Sequence, residues 1–359
     1  MRKLASIREI RHIRPIEGAD RICCAVVDGW ECVVKKDEFQ VGEKIIYIEI
    51  DSIVPDTPDF EFMRERKFRV RTIKLRKQVS QGLVVPLTLL KNPQKHKLGD
   101  DVTEILGIKQ YDPEAEKEKQ FNSQKKTTNP LVKYLMRYSW FRKLHSKFNR
   151  PQKSGFPAWI TKTDEERVQN LVELLERESE EGTKFAVTEK LDGQSLTLFL
   201  ARKGFGVWDF GVCSRNLRLR KPDNSSWWTI AKQIDAKRVL KSFKNAKRIV
   251  LQGEIIGTGI QSNKYGIKGY DFYAFNLIVD GKRFPHDEME RTLLGFGIKS
   301  VPLLETQLVL KKDVADMVEY AQGKSRLAEI EREGIVVRNI DKGISFKVIS
   351  PKFLLAEKD

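Results

Sequence analysis

Two lysines and three carboxylates in the second half of the chain combine residue types that can carry out group-transfer chemistry. With the glycine that follows the first carboxylate, the set in chain order is Lys190, Asp192, Gly193, Glu254, Glu333 and Lys347. A lysine amine is a nucleophile once it is neutral, and carboxylate oxygens are the ligands that Mg²⁺ prefers. Lys-x-Asp-Gly alone is a weak motif, and a single carboxylate is more typical of a surface ion pair. The information therefore lies in the joint occurrence of these residues in this order.

Each lysine and carboxylate of this set lies in or beside a run of residues that predicts a β-strand. The runs are Phe185–Thr188, Ser195–Leu200, Val207–Val212, Ile249–Ile256, Phe272–Val279, Gly334–Arg338 and Ile344–Ile349. Parts of 227–242, 286–296 and 313–322 are predicted to be helical. A further helix is predicted after Thr163, which forms a capping box with Glu166, because apolar residues follow at 168, 171, 172 and 175. Residues 156–359 are therefore expected to form one domain in which strands and helices alternate.

The first 110 residues contain about five short β-like runs separated by turn signals such as Asp28-Gly29 and Val41-Gly42. Strands of this number and length suit a small barrel of the OB type. Apolar and basic residues alternate over Phe68–Arg71, which places the arginines on one face of a strand. That face is either a surface for nucleic acid or an ordinary solvated face of a sheet, and the alternation alone does not distinguish them.

The charge of the chain favours a polyanionic partner. The 359 residues include 66 Lys or Arg and 50 Asp or Glu, which gives a formal net charge of +16. A basic surface attracts phosphate groups, and the attraction weakens as salt is added. Residues 111–155 form a predicted connector that is first polar and then rich in aromatic and basic residues. Such a mixture is typical of segments that bind nucleic acid, where aromatic side chains stack on bases and basic side chains pair with phosphates. It is also typical of a short amphipathic helix.

Two classes of protein are excluded by composition. No apolar run approaches the roughly 20 residues of a membrane-spanning helix, so no membrane partner is expected. The four cysteines at 23, 24, 32 and 213 are too few for a disulfide scaffold and contain no Cys-x-x-Cys pair. The N-terminus also lacks an apolar segment of signal-peptide length, so no secretion signal is expected. These features predict an intracellular protein, cytoplasmic or nuclear.

The ordered set resembles motifs I, III, IV and V of the covalent nucleotidyltransferases, which include ATP-dependent RNA ligases, DNA ligases and mRNA capping enzymes. Phe272–Asn276 resembles the motif between III and IV, and Ser214-Arg215-Asn216 resembles the one after motif I. The chain is most similar to the RNA ligase branch with an N-terminal OB domain. The resemblance implies an α+β protein with an OB-type β-barrel at 1–110, a basic connector at 111–155 and a nucleotidyltransferase domain at 156–359. That last domain, ATP-grasp-like, is expected to have antiparallel sheets and flanking helices.

The resemblance implies that Lys190 is a catalytic nucleophile that attacks the α-phosphate of ATP and forms a lysine–AMP phosphoramidate. Lysine has a reference pKa of about 10.4, so the site must favour the neutral amine. A nearby cation does this by charge repulsion, and Lys347 and a bound Mg²⁺ or Mn²⁺ are the candidates. Asp192, Glu254 and Glu333 are implied to hold the metal, directly or through water, and to take part in catalysis.

Five further residues are implied to contact ATP. Glu189 is expected at the adenine edge and Phe275 on the adenine face, whereas Arg215 is expected near the ribose or the RNA end. Arg167 is expected on the ATP phosphates, and Gly193 belongs to the nucleotide-binding motif. An ordinary core phenylalanine and an ion-paired helical arginine are the alternatives for Phe275 and Arg167.

The sequence departs from the family pattern at three positions. Ile349, Ser195 and Asn276 stand where other RNA ligases often have lysine, asparagine and aspartate, which weakens any transfer of RNA-end contacts. The expected function is ATP-dependent RNA ligation in RNA repair by a monomer, with nicked duplexes carrying RNA on the 3′-OH side among the candidate substrates.

Other nucleotidyltransferases and a non-catalytic protein remain alternatives. A DNA ligase or a capping-type enzyme shares the motifs, but both usually carry a C-terminal OB domain. Only 12 residues, 348 to 359, follow Lys347 here, so we expect no such domain. A non-catalytic OB-fold RNA-binding protein is the alternative from another functional class.

Overall fold

The computed structural model describes residues 3–111, 138, 155–204, 206–219 and 224–356. The chain divides into two compact units. The first unit comprises Met1–Tyr111, Asp164–Asp192 and Val301–Asp359, and the second comprises Asp112–Thr163 and Gly193–Ser300. The predicted connector at 111–155 lies, apart from its two end residues and Tyr138, outside the described residues.

The described residues form strands and short helices, numbered here along the chain. The strands are β1 (Ala5–Pro15), β2 (Ile22–Val27), β3 (Trp30–Lys35), β4 (Lys44–Ile48), β5 (Ser52–Ile53), β6 (Arg69–Val70), β7 (Ile73–Leu75), β8 (Gln78–Ser80), β9 (Leu83–Pro86), β10 (Lys109–Gln110), β11 (Glu166–Arg167), β12 (Lys184–Lys190), β13 (Gln194–Arg202), β14 (Trp208–Cys213), β15 (Arg218–Leu219), β16 (Arg248–Gly257), β17 (Tyr270–Val279), β18 (Lys282–Arg283), β19 (Lys299–Ser300), β20 (Leu303–Val309), β21 (Gly334–Asn339) and β22 (Ile344–Ile349). The helices are α1 (Val172–Glu180), α2 (Ser226–Gln233), α3 (Ala236–Lys241), α4 (His286–Leu294), α5 (Val314–Tyr320) and α6 (Pro351–Ala356).

The N-terminal part of the first unit is built on an antiparallel five-stranded sheet in the order β3-β2-β1-β4-β9. Its long first strand pairs with β4 through Ala5–Glu9 and with β2 through Ile10–Pro15. A register shift between Ile10 and His12 lies where β1 passes from one pairing to the other. Such irregularities bend a strand, so β1 can serve both halves of a barrel. A small sheet, β10-β5-β6, and the β7-β8 hairpin complete this part.

A second sheet of the first unit, in the order β11-β22-β21-β12-β20, carries several of the predicted site residues. Its strands are antiparallel except for β11, which runs parallel to β22. The apolar core beneath it includes Phe185 and Val187 of β12 and Phe346 and Val348 of β22, with helices α1 and α5. Side chains alternate along a strand, so this core fixes Lys190 and Lys347 on the opposite face of the sheet.

The second unit contains a seven-stranded sheet in which β15-β14-β13-β16-β17-β18 are neighbours and β19 runs parallel to β17. Aliphatic side chains of β13 and β16, among them Leu196, Leu198 and Leu251, form its core with helices α2, α3 and α4. Between β16 and β17, Gln252 pairs with Asn276 but Gly253 pairs with Ala274, so Phe275 is an extra residue in a β-bulge.

One sequence prediction about local structure is wrong. The helix expected to begin after Thr163 begins only at Val172, because Glu166–Arg167 form strand β11 and Val168–Asn170 a 3₁₀ turn. The Thr163 hydroxyl lies 3.0 Å from that of Ser195 instead of capping a helix. The parallel pairing of β11 with β22 overrides the helical pattern of the apolar residues.

All four cysteines are buried and form no disulfide bond. Burial raises the pKa of Cys24 to about 11 and that of Cys213 to about 12. In the described part of the chain, no helix is long and apolar enough to cross a membrane.

Candidate active site

Lys190 lies at the end of β12, and its side chain contacts the carboxylate of Glu333. Its Nζ donates to both oxygens of Glu333 at 2.7 Å each. Strand register brings the two together, because Lys190 pairs with Gly334, the residue that follows Glu333. The two side chains are 28% and 14% exposed, so the pair lies near the surface but is largely enclosed.

The Glu333 carboxyl is in a strongly perturbed environment. Burial raises its pKa above the ordinary value, and the negative charge of Asp192 acts in the same direction. The positive charges of Lys190 and Lys347 lower it. Asp192 and both predicted lysines therefore act electrostatically on Glu333 within the first unit. Perturbed groups of this kind are concentrated at functional sites.

Lys347 is the second cation on this face of the sheet. Its side chain is only 10% exposed, and its Nζ donates to Asp164 Oδ1 at 2.8 Å. Lys347 pairs with Val336, which pairs on its other side with Thr188, two residues before Lys190. Because β21 lies between β12 and β22, the two lysine-bearing strands are about 10 Å apart.

Arg167 is a buried guanidinium with unused hydrogen-bond donors. Arg167 is 5% exposed. Its backbone lies beside that of Lys347, because β11 pairs in parallel with β22. Its Nη2 donates to Asp51 Oδ2 at 3.0 Å, whereas its Nε and Nη1 have no hydrogen-bond partner among the described residues. An unsatisfied buried donor is costly, and a guanidinium binds phosphate through paired N–H groups. The side chain therefore has the donors that an anionic ligand requires.

Glu189 lies on the opposite face of β12 from Lys190. It is 1% exposed, and its carboxylate accepts hydrogen bonds from Ser325 Oγ at 2.5 Å and from the Arg326 backbone N–H at 2.8 Å. These contacts tie the segment before Glu333 to the strand that ends in Lys190. Both carboxylate oxygens thus have protein partners in this structure, and an adenine contact by Glu189 stays a prediction.

In the second unit, Gly193 packs tightly against the strand that carries Glu254. A Cβ on Gly193 would lie 2.4 Å from the Ile255 carbonyl oxygen and 2.8 Å from Glu254 Cγ. The register places Ser195 opposite Glu254, so β13 enters the sheet beside this carboxylate. The absence of a side chain at Gly193 is therefore a packing requirement at the position where Glu254 lies.

We expect Gly193→Ala to lower the free energy of unfolding by about 1–3 kcal/mol, because the added methyl group meets backbone that cannot move freely. Gly204→Ala is the matched control, since no atom of the described residues lies within 4 Å of a Cβ built there. Denaturant unfolding of both variants measures the difference. Equal stability of the two variants would contradict the close approach at Gly193.

The two remaining residues expected to contact ATP also belong to the second unit. Phe275 is the half-buried bulge residue of β17, and bulges commonly redirect a side chain next to active sites. Arg215 lies in the turn closed by the Ser214 N–H and the Leu217 carbonyl at 2.9 Å. Its side chain is half-buried.

Three partners of the predicted residues were missed by sequence reasoning. Asp164 pairs with Lys347 across 183 positions, Asp51 with Arg167 across 116, and Ser325 with Glu189 across 136. No local motif marks any of them. Among the residues described, no three His, Cys, Asp or Glu side chains are grouped so that they could hold a metal ion by themselves.

Comparison with known proteins relates this geometry to two families. A model described as RNA ligase matches residues 183–349, and a model described as an OB-fold domain matches residues 4–87. Among solved structures, Naegleria gruberi RNA ligase with PPi is 35% identical, with a TM-score of 0.80 over 99% of this chain and 98% of that chain. No curated protein sequence matches.

Structures of point mutants of the same Naegleria gruberi enzyme are equally similar. One with ATP and Mn is 35% identical, with a TM-score of 0.80 over 100% of both chains. Another, with AMP and Mn, is 34% identical, with a TM-score of 0.79 over 98% of both chains. The predicted α+β fold with an N-terminal OB barrel is confirmed.

Proposed function

Because the chain belongs to the RNA ligase family, we propose that it is an ATP-dependent enzyme that joins RNA 3′-OH and 5′-phosphate ends through a lysine–AMP intermediate. The observation that carries this proposal is the Lys190 amine, which lies 2.7 Å from both oxygens of Glu333 at the end of β12. A lysine that is partly enclosed, oriented and surrounded by charged groups is suited to act as a nucleophile.

In the first step, the Lys190 amine loses a proton and attacks the α-phosphorus of ATP, and pyrophosphate leaves. The ion pair with Glu333 orients the amine but favours its ammonium form, so binding of substrate must weaken that pair. Lys347 lies on the same face of the sheet as Lys190. Its positive charge disfavours the ammonium form of Lys190 by repulsion, and it can stabilise negative charge on the phosphate. Asp164 holds the Lys347 amine in place.

The chemistry of the residues present suits a bound nucleotide and a divalent cation. Arg167 offers two buried nitrogen donors, Nε and Nη1, for which the described residues supply no hydrogen-bond acceptor. Glu189 is proposed to contact the edge of the adenine, and Phe275 its face. Arg215 is proposed to lie near the ribose or the RNA end. All three contacts are implied by the resemblance.

Asp192, Glu254 and Glu333 are proposed to hold Mg²⁺ or Mn²⁺ through their carboxylate oxygens. A bound metal ion would supply positive charge that offsets the charge of the phosphates. Structures of the similar Naegleria gruberi enzyme with ATP and Mn support a nucleotide and a divalent cation as the ligands of this family.

The two later steps use the same site. The phosphoramidate bond of Lys190 breaks as AMP passes to the RNA 5′-phosphate, and the RNA 3′-OH then forms the phosphodiester bond and expels AMP. We propose that the N-terminal barrel and the connector hold the RNA, and that nicked duplexes with RNA on the 3′-OH side are among the substrates in RNA repair. The protein is proposed to act as a monomer.

We also place the protein in an intracellular compartment, cytoplasmic or nuclear. The support is that its four cysteines are all buried and unpaired. Thiols in this state are typical of proteins from reducing compartments.

Incubation with ATP labelled in the α-phosphate tests the function directly. We expect Mg²⁺-dependent covalent labelling of the protein, which EDTA abolishes, and sealing of nicked duplexes that carry RNA on the 3′-OH side. Nicks with RNA or DNA placed separately on each side distinguish an RNA ligase from a DNA ligase. A protein that stays unlabelled, or that seals only all-DNA nicks, would contradict the proposal.

A further inference from the structure

The turn between β7 and β8 has a backbone conformation that its residues do not favour. Leu75 pairs with Gln78, which leaves Arg76 and Lys77 as a two-residue loop. Their φ angles are +47° and +68°. Positive φ at both central residues is typical of a type I′ turn, in which Asn-Gly is strongly preferred. A long side chain in this region costs on the order of 1–3 kcal/mol, and such strain is concentrated at functional positions.

The base of this hairpin is firmly attached to the barrel. Ser80 Oγ accepts from the Val33 N–H at 2.9 Å, and the Gln81 N–H donates to the Glu31 carbonyl at 2.7 Å. The Gln81 carbonyl accepts from the Tyr47 hydroxyl at 3.0 Å. Ser80 and Gln81 are both buried. The tip therefore projects from a fixed support.

The tip of the hairpin carries three basic side chains. Lys74, Arg76 and Lys77 are exposed. Within the ranges that the structure describes, no carboxylate forms an ion pair with any of these three side chains. Two other arginines of the same barrel do have acidic partners: Arg8 pairs with Asp28 at 3.0 Å, and Arg64 with Asp56 at 2.7 Å. Three unpaired cations on a fixed projection fit a polyanion.

We propose that the tip of the β7–β8 hairpin, defined as Lys74, Arg76 and Lys77, docks on the phosphate backbone of the RNA substrate. This inference rests on the proposed RNA ligase function and assigns part of its RNA contact to one element. Asn-Gly would form the same turn with less strain but without charge. Compared with Asn-Gly, Arg76 and Lys77 make the turn less stable but add two positive charges that can contact phosphates.

The double variant Arg76→Asn/Lys77→Gly separates charge from backbone shape, because it installs the preferred type I′ pair. Its matched control, Lys91→Asn/Lys95→Asn, removes the same two charges from exposed positions elsewhere in the barrel. Binding to a nicked RNA duplex and to single-stranded 5′-phosphorylated RNA is measured over a series of salt concentrations. Covalent labelling with ATP, which needs no RNA, is measured in parallel.

For the hairpin variant we expect roughly tenfold or greater weakening of RNA binding at low salt on at least one RNA. The slope of log affinity against log salt should fall by about 2. Sealing should fall in proportion, ATP labelling should persist, and the thermal midpoint should stay the same or rise. Wild-type affinity and slope on both RNAs, or an equal loss in the lysine control, would overturn the inference. Absence of ATP labelling in the wild type would instead refute the proposed function.

Discussion

Replacing Lys190 by alanine is expected to abolish covalent labelling by ATP and to reduce sealing of 5′-phosphate RNA by about 10⁴-fold or more. The phosphoramidate can form only on the amine that alanine lacks. The loss should not reflect unfolding, since the Lys190 side chain is 28% exposed and is not part of an apolar core. Labelling by α-labelled ATP and a sealing assay measure the two effects.

Lys190→Arg is the control that separates the nucleophile from its charge. Arginine can keep the ion pair with Glu333, but its guanidinium stays protonated and is a poor nucleophile. We therefore expect the arginine variant to be as inactive in labelling as the alanine variant. Labelling of either variant at a substantial fraction of the wild-type rate would show that another residue accepts AMP.

RNA that already carries AMP on its 5′-phosphate should partly rescue the Lys190 variants. The amine is needed only to take AMP from ATP, so the final attack by the 3′-OH can proceed without it. Sealing of this substrate should exceed sealing of ordinary 5′-phosphate RNA by a large factor in both variants. Equal failure on both substrates would mean that Lys190 also supports the last step.

Replacing Lys347 by alanine is expected to slow lysine adenylylation by about 10²–10³-fold, the usual effect of removing one group that stabilises transition-state charge. The Lys347 amine lies on the same face as Lys190 and is held by Asp164 at 2.8 Å. Asp164→Asn should give a smaller loss, because the cation remains but is less well held. Rates of covalent labelling measure both effects.

Lys342→Ala is the matched control for Lys347. Lys342 lies in the turn between β21 and β22, and its amine donates to Glu178 Oε2 at 2.6 Å. Hydrogen bonds from Lys342 and Thr183 lower the pKa of Glu178 to about 2, and the ion pair supports the fold rather than the site. The control should lose stability but keep its labelling rate. Similar labelling rates in the two lysine variants would contradict a catalytic role for Lys347.

Much of the strand pattern could be predicted because uninterrupted β-branched runs are strong local signals. Ile344–Ile349 was predicted with the bounds that β22 has, and β16 extends only one residue beyond each end of its predicted run. Strand β1 was missed because its isoleucines fall at 7, 10 and 13, a spacing of three. The register shift between Ile10 and His12 breaks the two-residue period that marks a strand.

The candidate active site was predictable only in part, because local sequence patterns mark some of its residues but not the partners that the fold brings to them. Sequence motifs mark Lys190, Glu333 and Lys347, because each lies in a strand or directly before one. Their partners come from distant positions, so pairing depends on the fold and leaves no local trace. The orientation of Glu189 could have been inferred, since Phe185 and Val187 belong to the core and Glu189 shares their face of β12.

Peptide mapping by mass spectrometry after incubation with ATP and Mg²⁺ shows whether one lysine of this chain forms a covalent bond to AMP. We predict one modified peptide, which contains Lys190 and carries the added mass of one AMP group at that residue. An unmodified Lys190, or AMP found on a different residue, would contradict the account.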